Sequence, residues 1–303
     1  MERFTRKDYD FIATGNDYPS SAIVMVGAPL DMTVTFRPGT RLGPRAIREM
    51  SHNIEEYSLE LGRDLSSVPI YDAGDLILPG GDLDKSLQLI EDAAETILND
   101  GKLPLFLGGE HLITLPLVKA AARRHPGLIV LQLDAHADLL DEYEGAKLSH
   151  ASVMRRVVEV VGKENLIQLG IRSATREEMV YARENTLMMC YDVVPGLEEV
   201  VQSLKDRPVY VTVDIDVVDP AFAPGTGTPE PGGIDSTEFI QSAYYLYDLN
   251  VVGMDLVEVS PAYDCANVSA LLAAKYLREA MLCLGRAGRA KIKIVGKKTP
   301  NKS

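Results

Sequence analysis

Cysteine, basic charge and long apolar runs are all scarce in this sequence, and each scarcity excludes something. The three cysteines, Cys190, Cys265 and Cys283, show neither C-x-x-C spacing nor an even framework. A disulfide-stapled scaffold is therefore excluded, and core thiols in a reducing compartment are expected. Lysine and arginine number 31 against 44 acids, a formal net charge of -13. Phosphate backbones are held by a basic face that this chain does not supply, so no nucleic-acid partner is expected. No apolar run is long enough to span a bilayer, and the opening MERFTRKDYDF is charged. That pattern carries no secretory signal and predicts a cytoplasmic protein with no membrane partner. No linker rich in Pro, Gly or Ser divides the chain, so one domain is expected over residues 1–303, with a polar lead-in at 1–20 and a basic tail at 286–303.

What is present is a rhythm of strands and helices. Apolar strand patterns lie at Ala22 to Val26, Val68 to Tyr71, LPLFL from Leu103, LIVLQL from Leu128, and later at LIQL, LMMC, VYVTV and VVGMDLV. Between them, helical spacing appears after Pro44 (Ala46, Ile47, Met50, Ile54), over Leu83 to Leu98 with Gly101 as its stop, and over Leu112 to Arg124. Alternation of this kind forces parallel pairing, because each strand returns over a sheet face by a crossover. The expected fold class is α/β: a single three-layer α/β/α domain around an eight-stranded, mainly parallel sheet. A (β/α)₈ barrel has a similar rhythm and is the alternative.

The chemistry collects where strands end. The run LIVLQL stops at Asp134, His136 and Asp138, and residues two apart on an extended segment point the same way. Two carboxylates packed with an imidazole in one small volume raise one another's pKa unless a cation sits between them. PVYVTV ends likewise in Asp214 and Asp216, and LPLFL runs into Gly108, Gly109, Glu110 and His111, where two glycines permit a tight turn. Ligands of open α/β sheets bind at the carboxyl ends of strands, so these ends can meet. Four carboxylates, two imidazoles and no thiolate suit Mn²⁺ or Mg²⁺ better than Zn²⁺.

The motifs GGEH, DAHAD, SHASVMRR, DIDVVDPAFAPGTGTPEPGG and MDLVEVSP, in this order and spacing, resemble the ureohydrolase family of arginases and agmatinases, most closely the bacterial agmatinases. The resemblance implies the same three-layer fold and two manganese ions per subunit. His111, Asp134, Asp138 and Asp214 would hold one ion, and Asp134, His136, Asp214 and Asp216 the other. It implies a metal-bridging hydroxide attacking a guanidinium, with Glu258 as the counter-charge that binds the substrate, His150 as proton shuttle and substrate contact, and Asp138 passing a proton on. It also implies a homotrimer or homohexamer. For Glu258, Arg172 is an alternative, structural partner. His52 and His125 are assigned no role.

Agmatine, lacking an α-carboxylate, is the expected substrate: Asp141, Glu142 and Glu144 form an acidic loop suited to a cationic tail, although charge runs usually face water. Arginase, guanidinobutyrase and aminopropylagmatine ureohydrolase chemistry remain open alternatives. Outside the class stand a single-zinc amide hydrolase, which the two bridging aspartates oppose, and a silent subunit, which has no chemical need for the full set. The proline- and glycine-rich loop Asp219 to Gly233 would shape the pocket, and Asp235 with Glu238 offers a capping box for the helix that follows.

Overall fold

The computed structural model describes residues 5–285. In chain order the elements are β1 (Thr5–Arg6), β2 (Ile23–Ala28), α1 (Gly43–Ser51), β3 (Tyr57–Ser58), β4 (Arg63–Asp64), β5 (Ile70–Leu76), α2 (Leu83–Asn99), β6 (Leu103–Gly108), α3 (Thr114–Arg124), β7 (Ile129–Leu133), α4 (Val153–Val161), β8 (Leu166–Ile171), α5 (Arg176–Asn185), β9 (Leu187–Cys190), α6 (Val194–Leu204), β10 (Pro208–Asp214), α7 (Ser236–Tyr244), β11 (Asn250–Val257) and α8 (Val268–Leu284). Every strand pattern read from the sequence forms a strand.

These strands build an open sheet ordered β1-β5-β2-β6-β11-β10-β7-β8-β9. Eight strands run parallel, and the ninth is the two-residue β1, paired antiparallel with the edge of β5. The barrel is excluded because β1 and β9 never meet. The extra strand comes from the lead-in, whose polar composition hid two anchors: Thr5 and Arg6 pair with Leu76 and Asp75, and Phe11 is buried with its N–H on Asp72. The basic tail, 286–303, lies outside the described residues.

Period-two alternation divides the core between two faces. Ile23 and Met25 of β2, Leu105 and Leu107 of β6, and Val209, Val211 and Val213 of β10 pack on one side with α1, α6, α7 and α8. Val24, Val26, Phe106, Val130 and Tyr210 pack on the other with α2, α3 and α4. Because both faces are covered, the central strands read as unbroken apolar runs. Among the cysteines only Cys283 is buried; Cys190 and Cys265 are exposed, so the core-thiol expectation holds for one of three. No helix among the described residues is long and apolar enough to cross a membrane.

Two local expectations are revised. Gly108 and Gly109 are not in a left-handed turn; Gly109 is required because a Cβ there would lie 2.0 Å from the Leu30 carbonyl oxygen. Asp235 does cap α7, accepting from the N–H groups of Thr237 and Glu238, but the Glu238 carboxylate accepts from Val194 N instead of closing the box, and so ties α7 to α6.

Candidate metal centre

The order of the sheet explains where the site forms. β6 and β7 are consecutive in the chain, yet β11 and β10 are seated between them. The chain thus leaves this point in both directions, the switch at which open α/β sheets hold ligands. The carboxyl ends of these four adjacent strands deliver His111 (after β6), Glu258 (after β11), Asp214 and Asp216 (at the end of β10) and Asp134, His136 and Asp138 (after β7).

All six expected ligands converge. His111 Nδ1 lies 3.1 Å from Asp134 Oδ2, 3.1 Å from Asp138 Oδ2 and 3.4 Å from Asp214 Oδ2. His136 Nδ1 lies 2.9 Å from Asp216 Oδ2 and 3.8 Å from Asp134 Oδ1. Asp134 therefore turns one oxygen to each imidazole and belongs to both groups that could hold a metal.

Two backbone devices make the convergence possible. The extended reading holds only as far as Ala137: Asp138 is left-handed at φ 55°, which swings its carboxylate toward His111 while its carbonyl receives the N–H groups of Met154 and Arg155 at the start of α4. A non-glycine residue held there stores strain that its surroundings must over-determine. Asp216 sits in a short 3₁₀ turn, Ile215–Val217, where its own N–H is capped by the Asp214 side chain at 2.8 Å.

The fit to a cation can be judged from His111. Its Nε2 donates to Thr212 Oγ at 3.0 Å, Thr212 donates to Asp255 at 2.6 Å, and Thr114 and Tyr210 donate to the other Asp255 oxygen. That chain fixes a hydrogen on Nε2 and turns the buried Nδ1 toward three carboxylates; burial opposes a charge on the ring, but Asp134, Asp138 and Asp214 outweigh it and raise His111 well above its ordinary range, so Nδ1 holds either a proton or, once that proton leaves, a cation. A lone pair and three carboxylate oxygens around one point are a ligand set for a hard cation.

Electrostatics agree. Burial, then the charges of Asp216 and Asp138, push Asp134 up to about 7. Burial would lower His136, but Asp216 and Asp134 outweigh it and hold it at about 11. Burial likewise opposes ionisation of Asp216, which its His136 partner nonetheless holds down at about 2. Like charges about 4 Å apart repel by roughly 4 kcal/mol at an effective dielectric of about 20, so protons or cations must neutralise this cluster.

These groups open into a cavity of about 500 Å³ lined also by Phe36, Tyr143, His150, Thr228, Glu230 and Glu258. Glu258 is buried, accepts from His111 N at 2.7 Å, and forms no ion pair among the described residues. Arg172 is not its partner: that guanidinium donates to the carbonyls of Asp216, Val217 and Glu230, pinning the proline- and glycine-rich loop. His150 lines the cavity from the short turn before α4.

The acidic loop is a correction. Asp141 pairs with Arg156 at 2.9 Å and reaches Arg155 at 3.7 Å, while Glu142 and Glu144 are exposed, and none of the three lines the cavity. Solvation and two arginines outcompete the pocket for them. The carboxylates that do line it beyond the ligands are Glu178, Glu230 and Glu258. Sequence reading also missed Thr212, Asp255, Gln132, whose amide donates to Asp134 Oδ2 at 2.7 Å, and Glu110. The first three carried a usable signal, a polar side chain inside an otherwise apolar strand, which must find a partner when buried.

Comparison with known proteins follows the geometry. Residues 21–283 match the Arginase family. An agmatinase of Bacillus anthracis is 46% identical over 90% of this chain and 95% of its own length. A guanidinobutyrase of Pseudomonas aeruginosa is 38% identical over 86% of this chain and 85% of its own length. Among solved structures, the agmatine ureohydrolase of Thermoplasma volcanium superposes with a TM-score of 0.83 at 32% identity, covering 92% of this chain and 94% of that one.

Proposed function

The chain belongs to the arginase family, and on that premise we propose that it hydrolyses the guanidinium group of agmatine to putrescine and urea, with two Mn²⁺ per chain. The observation that carries this reading is Glu258: a buried carboxylate with no cationic partner among the described residues, facing the same cavity as His111, His136, Asp138 and Asp214. Its planar oxygen pair matches a guanidinium. The hard donor set supports Mn²⁺. Neither lysine nor arginine is among the residues lining the cavity, which favours a substrate that brings an ammonium rather than a carboxylate. The relatives named agmatinase point the same way.

His111, Asp134, Asp138 and Asp214 would hold one ion, and Asp134, His136, Asp214 and Asp216 the other. Bound there, divalent ions would supply a water acidified to a nucleophile at neutral pH. Glu258 binds and orients the guanidinium so that its carbon faces that water. Asp138, at the cavity wall, accepts a proton of the water. His150, which lines the same cavity, gives a proton to the leaving amine and recovers it in the next cycle. Trimeric or hexameric assembly and a cytoplasmic location complete the proposal.

The test is urea release by the full chain loaded with Mn²⁺, offered agmatine, arginine and 4-guanidinobutyrate separately at equal concentration, with a chelated control. Preference for agmatine, lost on chelation, is expected, together with two metal ions per chain. Preference for either other substrate overturns the specificity. Urea from none of them, or one zinc per chain, overturns the reaction.

A further inference from the structure

Glu110 follows Gly109 at the tip of β6, and it plays no part in the ligand set, yet it is fully buried. Its carboxylate collects the N–H of Met32 at 3.0 Å, the N–H of Thr33 at 2.9 Å and the hydroxyl of Thr33 at 2.6 Å. Thr33 has one hydroxyl hydrogen, and Glu110 takes it. The Thr33 oxygen can then only accept, and what it faces is His150: the backbone N at 3.0 Å and the ring Nδ1 at 3.4 Å. The Tyr143 ring lies edge-on to the imidazole, with centroids 5.8 Å apart at 80°, and closes the other side.

Donor logic gives this arrangement a direction. A ring nitrogen facing an oxygen that cannot donate must carry the hydrogen itself. His150 is thereby set as the Nδ1–H tautomer, and Nε2 is left as the nitrogen that exchanges protons with anything in the cavity. We propose that Thr33 and Glu110 are positioning residues, which through the hydroxyl of Thr33 select the tautomer and orientation of the His150 imidazole. The inference rests on the reading of His150 as proton shuttle given above. The loop after β2 thereby becomes part of what positions the proton-transferring imidazole.

The experiment uses the full chain and separates positioning from mere support. Wild-type protein, Thr33→Val, Thr33→Ser and His150→Asn are compared by kcat and KM for urea release with Mn²⁺ loaded, by metal content, and by ¹⁵N signals of the histidine rings in metal-free protein, with His150 assigned from its loss in His150→Asn. Thr33→Val keeps the shape and removes the acceptor. Its kcat is expected to fall by about 10- to 100-fold, as for other partners that orient a functional histidine, with KM and metal content unchanged. Thr33→Ser is expected to restore kcat, and the wild-type His150 ring to show hydrogen on Nδ1, lost or mixed in Thr33→Val. Wild-type kcat in Thr33→Val, or hydrogen on Nε2 in the wild-type ring, overturns the inference, the latter without any variant. Full activity in His150→Asn overturns instead the shuttle reading, and the ring signals still decide the role of Thr33.

Discussion

Glu258 combines three features that a merely structural residue would shed: a buried carboxylate, no cationic partner among the described residues, and a left-handed backbone at φ 65°. Burial raises it well above the ordinary carboxylate range, Glu110 adds to that, and the single bond from His111 N only partly offsets it. Glu258→Gln keeps the acceptor for that N–H and removes the charge. Urea release is expected to fall by about 10²- to 10³-fold, the usual loss when a charge-stabilising group is removed, while the melting temperature is not lowered. Calorimetry beside the urea assay checks both, and retained activity would exclude the guanidinium-binding role. Asp134 gives a second expectation. Held up at about 7 by burial and its neighbours' charges, it is protonated below that pH, whereas a divalent ion requires the carboxylate. Metal uptake should therefore release protons, and apparent affinity should weaken as pH falls from about 8 to about 6. Titration calorimetry in buffers of different ionisation enthalpy would show it, and pH-independent affinity would contradict it. Of these residues Asp134, His136, Asp138, Asp214 and Asp216 were legible because they stand two apart at strand ends, and His111 because it follows a strand and two glycines. Thr33 and Glu110 were not, since nothing in a sequence says which loop a buried carboxylate will meet.

Elements hold the site through a few buried polar contacts. Arg48 of α1 is 2% exposed and grips Asp72 of β5 with two bonds, at 2.8 and 2.9 Å, and Asp75 with a third. Arg48→Met leaves the Asp72 carboxylate buried without its cation and Asp75, partly exposed, without its partner, so a loss of about 3–5 kcal/mol is expected, measured by denaturant unfolding; a loss under about 1 kcal/mol would mean that α1 is held by its apolar face alone. The loop after β7 behaves in the opposite way. Asp141, Glu142 and Glu144 stand outside the cavity, so replacing all three by their amides should change the preference for agmatine over arginine by no more than about twofold, the effect of surface changes worth some 0.5 kcal/mol. A larger shift in the ratio of kcat/KM values would restore the loop to a role in specificity. Strand and helix positions were readable from period and punctuation. The 3₁₀ turn at Ile215–Val217 and the kink at Asp138 were not, because both are imposed by side-chain caps and by packing against α4 rather than by local propensity.

For the whole molecule, the metal centre is a clasp between strands that are far apart in sequence: His111, Asp134 and Asp214 meet only when β6, β10 and β7 are assembled. Ions that bind the folded chain and not the unfolded one should stabilise it by about 2.7 kcal/mol per site at a hundredfold excess over Kd. A melting temperature that rises with Mn²⁺ and falls on chelation is expected, and no shift would exclude tight binding at the clasp. By itself the sequence determined the α/β class, all eight parallel strands, the six candidate ligands and the absence of a bilayer-length apolar run, because strand period, turn residues and donor chemistry are local properties. Tertiary structure alone decided the ninth strand, the insertion of β11 and β10 between β6 and β7, the diversion of Asp141 to Arg156 and of Arg172 to backbone carbonyls, and the meeting of Thr33 with His150. Those are choices among competing partners, and a side chain selects its partner only once folding has set which groups lie within hydrogen-bond reach and which are left to water.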